Sequence, residues 1–176
     1  LNSSFDATIG YDYQYWKSVN PASASMNAAG EIQTSYKATD ERHVLLSYYG
    51  RLNYSFGSKY MLTATVRRDA TSRFAKEQRW GTFPSVALGW RISEEEFMKN
   101  QNVLSTLKLR ASYGVTGQQD GIGNYNYLPI YTQSQDGAQA IMGNEYIYTY
   151  RPEAYVSDLK WETTTSWNYG FDFGFL

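Results

Sequence analysis

The stretch Leu159-Lys-Trp-Glu-Thr-Thr-Thr-Ser-Trp-Asn-Tyr-Gly-Phe-Asp-Phe-Gly-Phe-Leu176 alternates along almost its whole length. Small, polar or charged residues occupy its even positions, and its odd positions carry Trp161, Thr163, Thr165, Trp167, Tyr169, Phe171, Phe173 and Phe175. Because successive side chains of a strand point to opposite faces, one face is aromatic and the other polar. The segment is far longer than the about 5–6 residues of an ordinary strand. It is typical of a transmembrane β-barrel strand, with lipid on one side and a wet lumen on the other.

Five further segments alternate in the same way: Phe5–Trp16, Val44–Phe56, Tyr60–Asp69, Pro84–Ile92 and Leu107–Thr116. The sequence therefore predicts an all-β protein, an antiparallel transmembrane β-barrel segment of about six long strands. Six strands cannot close a membrane barrel, because open edges in lipid leave backbone groups unpaired. We interpret the chain as a fragment of a larger barrel wall.

A second interpretation is a secreted soluble β-sandwich that binds carbohydrate through surface aromatics. Such a sheet also alternates, with one face packed on a core and the other in water. The strand lengths and the mid-strand Arg and Lys residues favour the barrel. A sandwich is expected to purify without detergent, whereas exposed aromatic faces are expected to require it.

The connections between the predicted strands differ in length. Two are compact, Gly57–Lys59 and Ser93–Ser105, and three are long and polar, Lys17–Arg42, Ala70–Gly81 and Gly117–Asp158. The compact and the long links fall on opposite ends of the sheet, as do the periplasmic turns and extracellular loops of outer-membrane barrels. Ser93 and Glu96 have the spacing of a capping box, which predicts one or two helical turns at the periplasmic rim.

Composition limits the remaining function classes. The chain has 176 residues, a formal net charge of -1 and no cysteine, so the sequence predicts no nucleic-acid partner, disulfide or thiol chemistry. Its mean hydropathy is -0.55, and no apolar run approaches the about 20 residues of a membrane helix. The 17 Tyr, 8 Phe and 5 Trp favour surfaces that are apolar on one side and wet on the other.

Four stretches resemble the barrel of SusC/RagA-type TonB-linked outer-membrane transporters. They are Tyr49–Phe56 (YGRLNYSF), Arg79–Arg91 (RWGTFPSVALGWR), Leu107–Gln118 (LKLRASYGVTGQ) and Leu159–Thr163 (LKWET). They occur in the family's order and together span most of Val44–Leu176, whereas the first forty residues match less well.

The resemblance implies a 22-stranded barrel, an N-terminal plug domain and a TonB box. It implies import of an oligosaccharide or peptide ligand with a SusD-like surface lipoprotein as lid, in contact with outer-membrane lipid. Neither a plug nor a TonB box is visible in residues 1–176, which we interpret as a partial TonB-dependent receptor β-barrel. The TonB complex would act through N-terminal parts that this segment lacks.

No residue is expected to be catalytic, and no cofactor or metal site is expected. His43 is the single histidine, and its position at the start of a predicted strand favours an interfacial or loop role. The acidic run that follows Ser93 is interpreted as a solvated helix start rather than a metal site.

Aromatic residues near strand ends and in the longest loop are the candidates for contact with a ligand or partner. Aromatic rings stack on sugars or pack on proteins, and the tyrosine hydroxyl fixes orientation. An alternative is that they pack the loop on itself or belong to the aromatic girdle. The candidates are Trp16, Trp80, Tyr125, Tyr127, Tyr131, Tyr146, Tyr148 and Tyr150.

Overall fold

The computed structural model describes residues 2–134 and 137–175. Leu176, at the end of the last predicted strand, and residues 135 and 136 of the longest predicted loop lie outside this range. Six long strands are present: β1 (Ser3–Asn20), β4 (Thr39–Phe56), β5 (Tyr60–Thr71), β6 (Trp80–Arg91), β7 (Leu104–Gln118) and β12 (Glu162–Phe175). Six short strands lie in the connections: β2 (Ser23–Met26), β3 (Ile32–Tyr36), β8 (Tyr131–Gln133), β9 (Ala140–Met142), β10 (Glu145–Ile147) and β11 (Tyr150–Pro152).

The long strands form one antiparallel sheet in the order β1-β4-β5-β6-β7-β12. The prediction of about six long antiparallel strands in an unclosed barrel segment is confirmed. Within the described residues, the other sheets are two-stranded hairpins in the connections, so no second layer forms the predicted alternative, a sandwich. No helix in the described part of the chain has the length and apolar character needed to cross a membrane.

The first two long strands extend beyond their predicted ends. β1 continues through Asn20 and β4 begins at Thr39, and the two strands pair without interruption from Ser3↔Phe56 to Asn20↔Thr39. Apart from Val19, their added residues are polar, so the alternation of apolar side chains fades while the backbone ladder continues. The predicted loop Lys17–Arg42 is thus shorter and carries the hairpin β2–β3.

Register keeps the predicted faces aligned across the sheet. Ala64 lies between Leu52 and Val86 on the outer face, which includes Leu88 at 56% exposure and Phe171 at 66% exposure. On the inner face, an ion pair joins β7 to β12: the Arg110 guanidinium lies 2.7 Å from the Asp172 carboxylate. An apolar exterior and a polar interior therefore continue from strand to strand.

The short-turn end of the sheet, where β4–β5 and β6–β7 are connected, is organised by Glu95. Its carboxylate accepts hydrogen bonds from the Tyr60 hydroxyl at 2.6 Å and the Trp90 indole at 3.1 Å, and it pairs with Lys59 Nζ at 3.0 Å. Tyr60 and Trp90 also stack with ring centroids 6.5 Å apart. The turn is thereby tied to both neighbouring strands.

The capping-box prediction was wrong in its details. The connection contains two 3-10 turns, Ile92–Glu94 and Glu96–Met98, and neither has a side-chain cap hydrogen bond. Glu95 is not a solvated residue at a helix start, because its carboxylate reaches back to the sheet. The Glu95 carboxylate is bound instead by two donors on adjacent strands, Tyr60 and Trp90, and by Lys59 in the β4–β5 turn.

Acidification is expected to loosen this connection. The hydrogen bonds from Tyr60, Lys59 and Trp90 lower the pKa of Glu95 from 4.5 to about 2. A depressed pKa means that the stabilising contribution is complete above pH 4.5 and is lost as the pH falls towards 2. Hydrogen exchange in residues 92–103 of the full-length parent, corrected for intrinsic rates, is expected to accelerate over that interval.

The variant Glu95→Gln is expected to exchange faster at pH 6 and to show little further change on acidification. Its matched control is Glu94→Gln, because Glu94 is an exposed neighbour in the same turn. Equal pH dependence in the Glu95→Gln variant and the unmodified parent would contradict the role of Glu95.

Candidate functional site

A buried aromatic cluster lies at the opposite, long-loop end of the sheet, where connections 21–38, 72–79 and 119–161 emerge. It consists of Phe74 in the second connection, Phe83 on the inner face of β6, and Trp161 just before β12. Phe74 is 0% exposed and Phe83 is 7% exposed. The ring of Trp161 lies edge-on to both, with centroids 5.6 and 5.3 Å away. The cluster joins two connections to the sheet.

The outward orientation predicted for Trp161 was wrong. β12 begins at Glu162, so Trp161 precedes the regular ladder and does not follow its alternation. Its indole N–H donates to the carbonyl of Arg79 at 2.8 Å. This bond and the ring contacts turn the side chain towards Phe74 and Phe83, away from the outer face of the sheet.

Two glycines make space for the Phe83 ring. A Cβ at Gly117 would lie 2.0 Å from Cζ of Phe83, and one at Gly81 would lie 2.4 Å from the same atom. Real Cβ atoms do not approach so closely, so a larger residue at either position would displace the buried ring. These glycines permit close contact between an aromatic side chain and the sheet.

A groove opens beside the aromatic cluster, and we call it the Trp16 groove. It has a volume of about 420 Å³ and is lined by Trp16, Lys17, Ser18, Glu41, His43, Arg73, Gln119, Asp120 and Asn124. Trp16 is 46% exposed and stacks on His43 with centroids 4.8 Å apart and planes 14° apart. The groove therefore offers one accessible aromatic face among hydrogen-bonding side chains.

His43 is not the interfacial or loop residue predicted from the sequence. It lies within β4, is only 6% exposed, and is covered by Trp16 on one face. Its Nδ1 lies 3.4 Å from the Ser72 hydroxyl. His43 thus packs against the ring of Trp16 and does not face solvent.

Hydrogen bonds hold the far wall of the Trp16 groove. Arg73 donates to the Gln119 carbonyl at 3.1 Å and to Asn124 Oδ1 at 3.2 Å. Asn124 in turn donates to Glu41 at 3.1 Å. The backbone N–H of Arg42 donates to the Tyr125 hydroxyl at 3.1 Å. Three segments distant in sequence are thereby fixed around one groove.

The predicted loop Gly117–Asp158 is not structureless. β7 extends through Gln118, and beyond it β8 pairs with β11 and β9 pairs with β10. The N–H of Val156 donates to the Asn126 carbonyl at 3.0 Å, which continues the pairing towards the sheet. We call residues 126–156 the arm.

The candidate tyrosines separate into two groups. Tyr125 and Tyr127 are half-buried at the base of the arm. Within the arm, exposure is 63% for Tyr131, 69% for Tyr146, 43% for Tyr148 and 64% for Tyr150. On β9, the exposed residues Ile141 and Met142 pair with Tyr146 and Glu145, respectively. The arm therefore presents a large aromatic and aliphatic surface.

Trp80 lies on the other face of the sheet from Trp16. It follows the outward alternation of β6 and stacks on Tyr48 with centroids 6.2 Å apart. The guanidinium of Arg68 lies 4.9 Å from its ring centroid. Trp80 is therefore on the outer face, remote from the Trp16 groove.

Most of the residues that hold the site together could not be identified from the sequence. Arg73, Asn124 and Phe74 carried no local signal because their partners lie in other connections, and the alternation that includes Trp161 pointed to the wrong face. Phe83 did carry one: it is an aromatic residue at an inward position of β6, two residues after a glycine. An aromatic side chain on the wet face of a barrel strand indicates a packed inner rim.

The chemistry of the Trp16 groove suits binding. An exposed indole face stacks on sugar or aromatic rings, and the surrounding amides and charges supply donors and acceptors. Within residues 2–134 and 137–175, no three His, Cys, Asp or Glu side chains are grouped as metal ligands.

Comparison with known proteins identifies the family. The family model described as "TonB dependent receptor-like, beta-barrel" matches residues 1–176. The chain belongs to this family. The members of this family are receptors and transporters rather than enzymes. The predicted SusC/RagA-type resemblance is confirmed.

Two relatives and one solved structure place the chain among these TonB-dependent receptors. It is 54% identical over 144 residues to the TonB-dependent receptor SusC of Bacteroides thetaiotaomicron, covering 82% of this chain and 14% of that receptor. It is 39% identical over 154 residues to the TonB-dependent receptor P39 of Formosa agariphila, covering 84% of this chain and 14% of that receptor. The structure of the RagAB peptide transporter matches with a TM-score of 0.76 and 25% identity, over 98% of this chain and 20% of that chain.

Proposed function

We propose that residues 1–176 form part of the barrel wall of an outer-membrane, TonB-dependent importer of oligosaccharides or peptides. The chain spans 14% of the length of the two relatives compared above, so the transport activity belongs to a longer protein. The observation that carries the proposal is the continuous opposition of an apolar outer face and a polar inner face over six paired strands. In that setting the long-loop end is extracellular and the short-turn end periplasmic.

The Trp16 groove is the part of the wall best suited to meet the imported ligand. It lies on the inner face at the extracellular end, where a solute enters the barrel. Its tryptophan is accessible while its polar walls are held by Arg73 and Asn124. A preformed groove of this kind binds without first ordering its own side chains.

Replacing Trp16 by alanine is expected to weaken ligand uptake several-fold in the full-length parent, because the stacking surface is removed. The matched variant is Trp80→Ala, which removes the same side chain from the outer face and is expected to leave uptake nearly unchanged. Uptake of a labelled oligosaccharide and of a labelled peptide is measured in parallel at equal surface expression. Equal losses in both variants would contradict a ligand role for the groove.

The arm is proposed to contact a SusD-like surface lipoprotein that covers the barrel. Its exposed aromatics and aliphatics resemble the apolar centre of a protein interface, which is rich in Tyr and Met and poor in charge. The residues just before the arm are anchored by Tyr125 to Arg42 of β4 and by Asn124 to Arg73 of the connection 72–79. The TonB complex is proposed to act through other parts of the longer protein.

The triple variant Tyr131→Ser, Tyr146→Ser and Tyr150→Ser is expected to reduce co-purification of the lipoprotein with the parent. All three side chains are more than 60% exposed, so the barrel itself is expected to remain folded. Tyr36→Ser is the control, because Tyr36 is 57% exposed in the separate β2–β3 hairpin. Unchanged co-purification by the triple variant would show that the arm is not the contact surface.

A further inference from the structure

Arg68 occupies an unusual place on the outer face. Register places it between Tyr48 of β4 and Thr82 of β6, and its side chain is exposed. Among the described residues, no carboxylate forms an ion pair with its guanidinium, which lies 4.9 Å from the Trp80 ring centroid. A guanidinium over an indole is stabilised by the ring's electron-rich face and still presents its N–H donors to the surroundings.

The membrane depth of Arg68 follows from its position on β5. Tyr60, on the same face of the same strand, belongs to the aromatic pair at the periplasmic end. The eight-residue separation corresponds to about 26 Å along the strand, or about 20 Å across the membrane at the usual tilt. An outer-membrane barrel has an apolar band about 25 Å tall. Arg68 therefore lies near its extracellular boundary, at the level of the outer-leaflet headgroups.

Charge on the outer face is confined to that end. At outward positions of the six long strands, the charged residues among those described are Lys17, Asp40, Arg42 and Arg68. Lys17 and Arg42 share the Asp40 carboxylate, at 3.5 and 2.9 Å. These residues carry three positive charges and one negative charge, and Arg68 is the one nearest the apolar band, since Arg42 lies six residues beyond Tyr48, the partner of Arg68.

We propose that Arg68 and Trp80 bind the phosphate-bearing headgroup of a glycolipid in the outer leaflet. The guanidinium donates paired hydrogen bonds to phosphate oxygens, a geometry that arginine matches closely. Tyr48 and Tyr11, whose ring centroids lie 5.3 Å apart, extend the aromatic surface beside Trp80 for sugar rings. This inference rests on the proposed placement of the chain in an outer-membrane barrel.

The test uses the full-length parent in neutral detergent, titrated with synthetic phosphorylated lipid A and followed by native mass spectrometry. The same lipid without phosphate and inorganic phosphate alone are titrated in parallel. The phosphorylated lipid is expected to bind the parent about tenfold more tightly than the dephosphorylated lipid, as befits charge-assisted hydrogen bonds. Arg68→Gln is expected to abolish that difference.

The matched control is Arg51→Gln, which removes one positive charge from the inner face, where Arg51 contacts Thr65 at 3.4 Å. It is expected to keep the preference for the phosphorylated lipid. Equal binding of the two lipids by the parent, or an unchanged preference in Arg68→Gln, would overturn the inference. Displacement of the lipid by low millimolar inorganic phosphate would also overturn it, in favour of a site for free phosphate.

Fractionation of the parent separates this inference from the proposed function. A parent that fractionates with the outer membrane but shows no phosphate preference contradicts the lipid site alone. A parent absent from that membrane contradicts both proposals.

Discussion

Replacing Phe74 by alanine is expected to destabilise the extracellular end of the sheet by about 3–5 kcal/mol, the usual effect of truncating a buried phenylalanine. Phe74 is fully buried, and its ring centroid lies 5.6 Å from that of Trp161. Its removal leaves a cavity between two connections that are otherwise joined by the bond from Trp161 to the Arg79 carbonyl and by the bonds from Arg73 to Gln119 and Asn124. Both connections are expected to open more often.

Hydrogen exchange in the full-length parent measures the effect, with faster exchange expected in residues 72–79 and at the start of β12. The matched substitution is Phe97→Ala at the periplasmic end, where the side chain is 69% exposed. That variant is expected to change stability by less than about 0.5 kcal/mol. Protection that stays unchanged in Phe74→Ala would show that the cluster does not hold the connections together.

Val86→Arg is expected to destabilise the assembled barrel by about 2–4 kcal/mol, the cost of a cation on the lipid face near the bilayer midplane. Val86 lies on the outer face beside Ala64. It is near the middle of β6, between Trp80 at one end of the strand and Trp90 at the other. Equilibrium unfolding of the parent in lipid vesicles by denaturant gives the free energy of unfolding directly.

The adjacent variant Ser85→Arg places the same side chain on the inner face, where the lumen solvates it. A cost of less than about 1 kcal/mol is expected, because Ser85 is exposed and lines an open groove that also contains the charged residues Arg67 and Asp69. Similar costs for the two variants would contradict the assignment of the faces. A large loss of stability in Ser85→Arg alone would show that the two faces of the sheet are assigned the wrong way round.

Local alternation predicts much of this fold because the period of a strand is a property of each segment alone. The aromatic and polar faces of β12 follow directly from the order of residues 162–175. The same holds for the outward positions of β5, including Arg68 at the end of its apolar series. Strand ends are less well predicted, since the backbone ladder of β1 and β4 continues through polar residues that carry no alternation.

Candidate binding residues were harder to predict than strands. The sequence could propose Trp16 and Trp80 together, because both are aromatics near strand ends. Only the paired sheet shows that Trp16 stacks on His43 in an inner groove, whereas Trp80 meets Arg68 and Tyr48 outside. Whether such a residue can contact ligand or lipid depends on whether its side chain lies on the inner or the outer face of the sheet.

The sequence by itself determined the all-β class, the six long strands, their two faces and the unequal connections at the two ends. Tertiary structure decided how those connections pack. The bond from Trp161 to the Arg79 carbonyl spans 82 positions, and the bond from Asn124 to Glu41 spans 83. Local periodicity does not encode such contacts. They form because pairing of the long strands brings distant connections to one rim, where buried rings and hydrogen bonds then select a single arrangement.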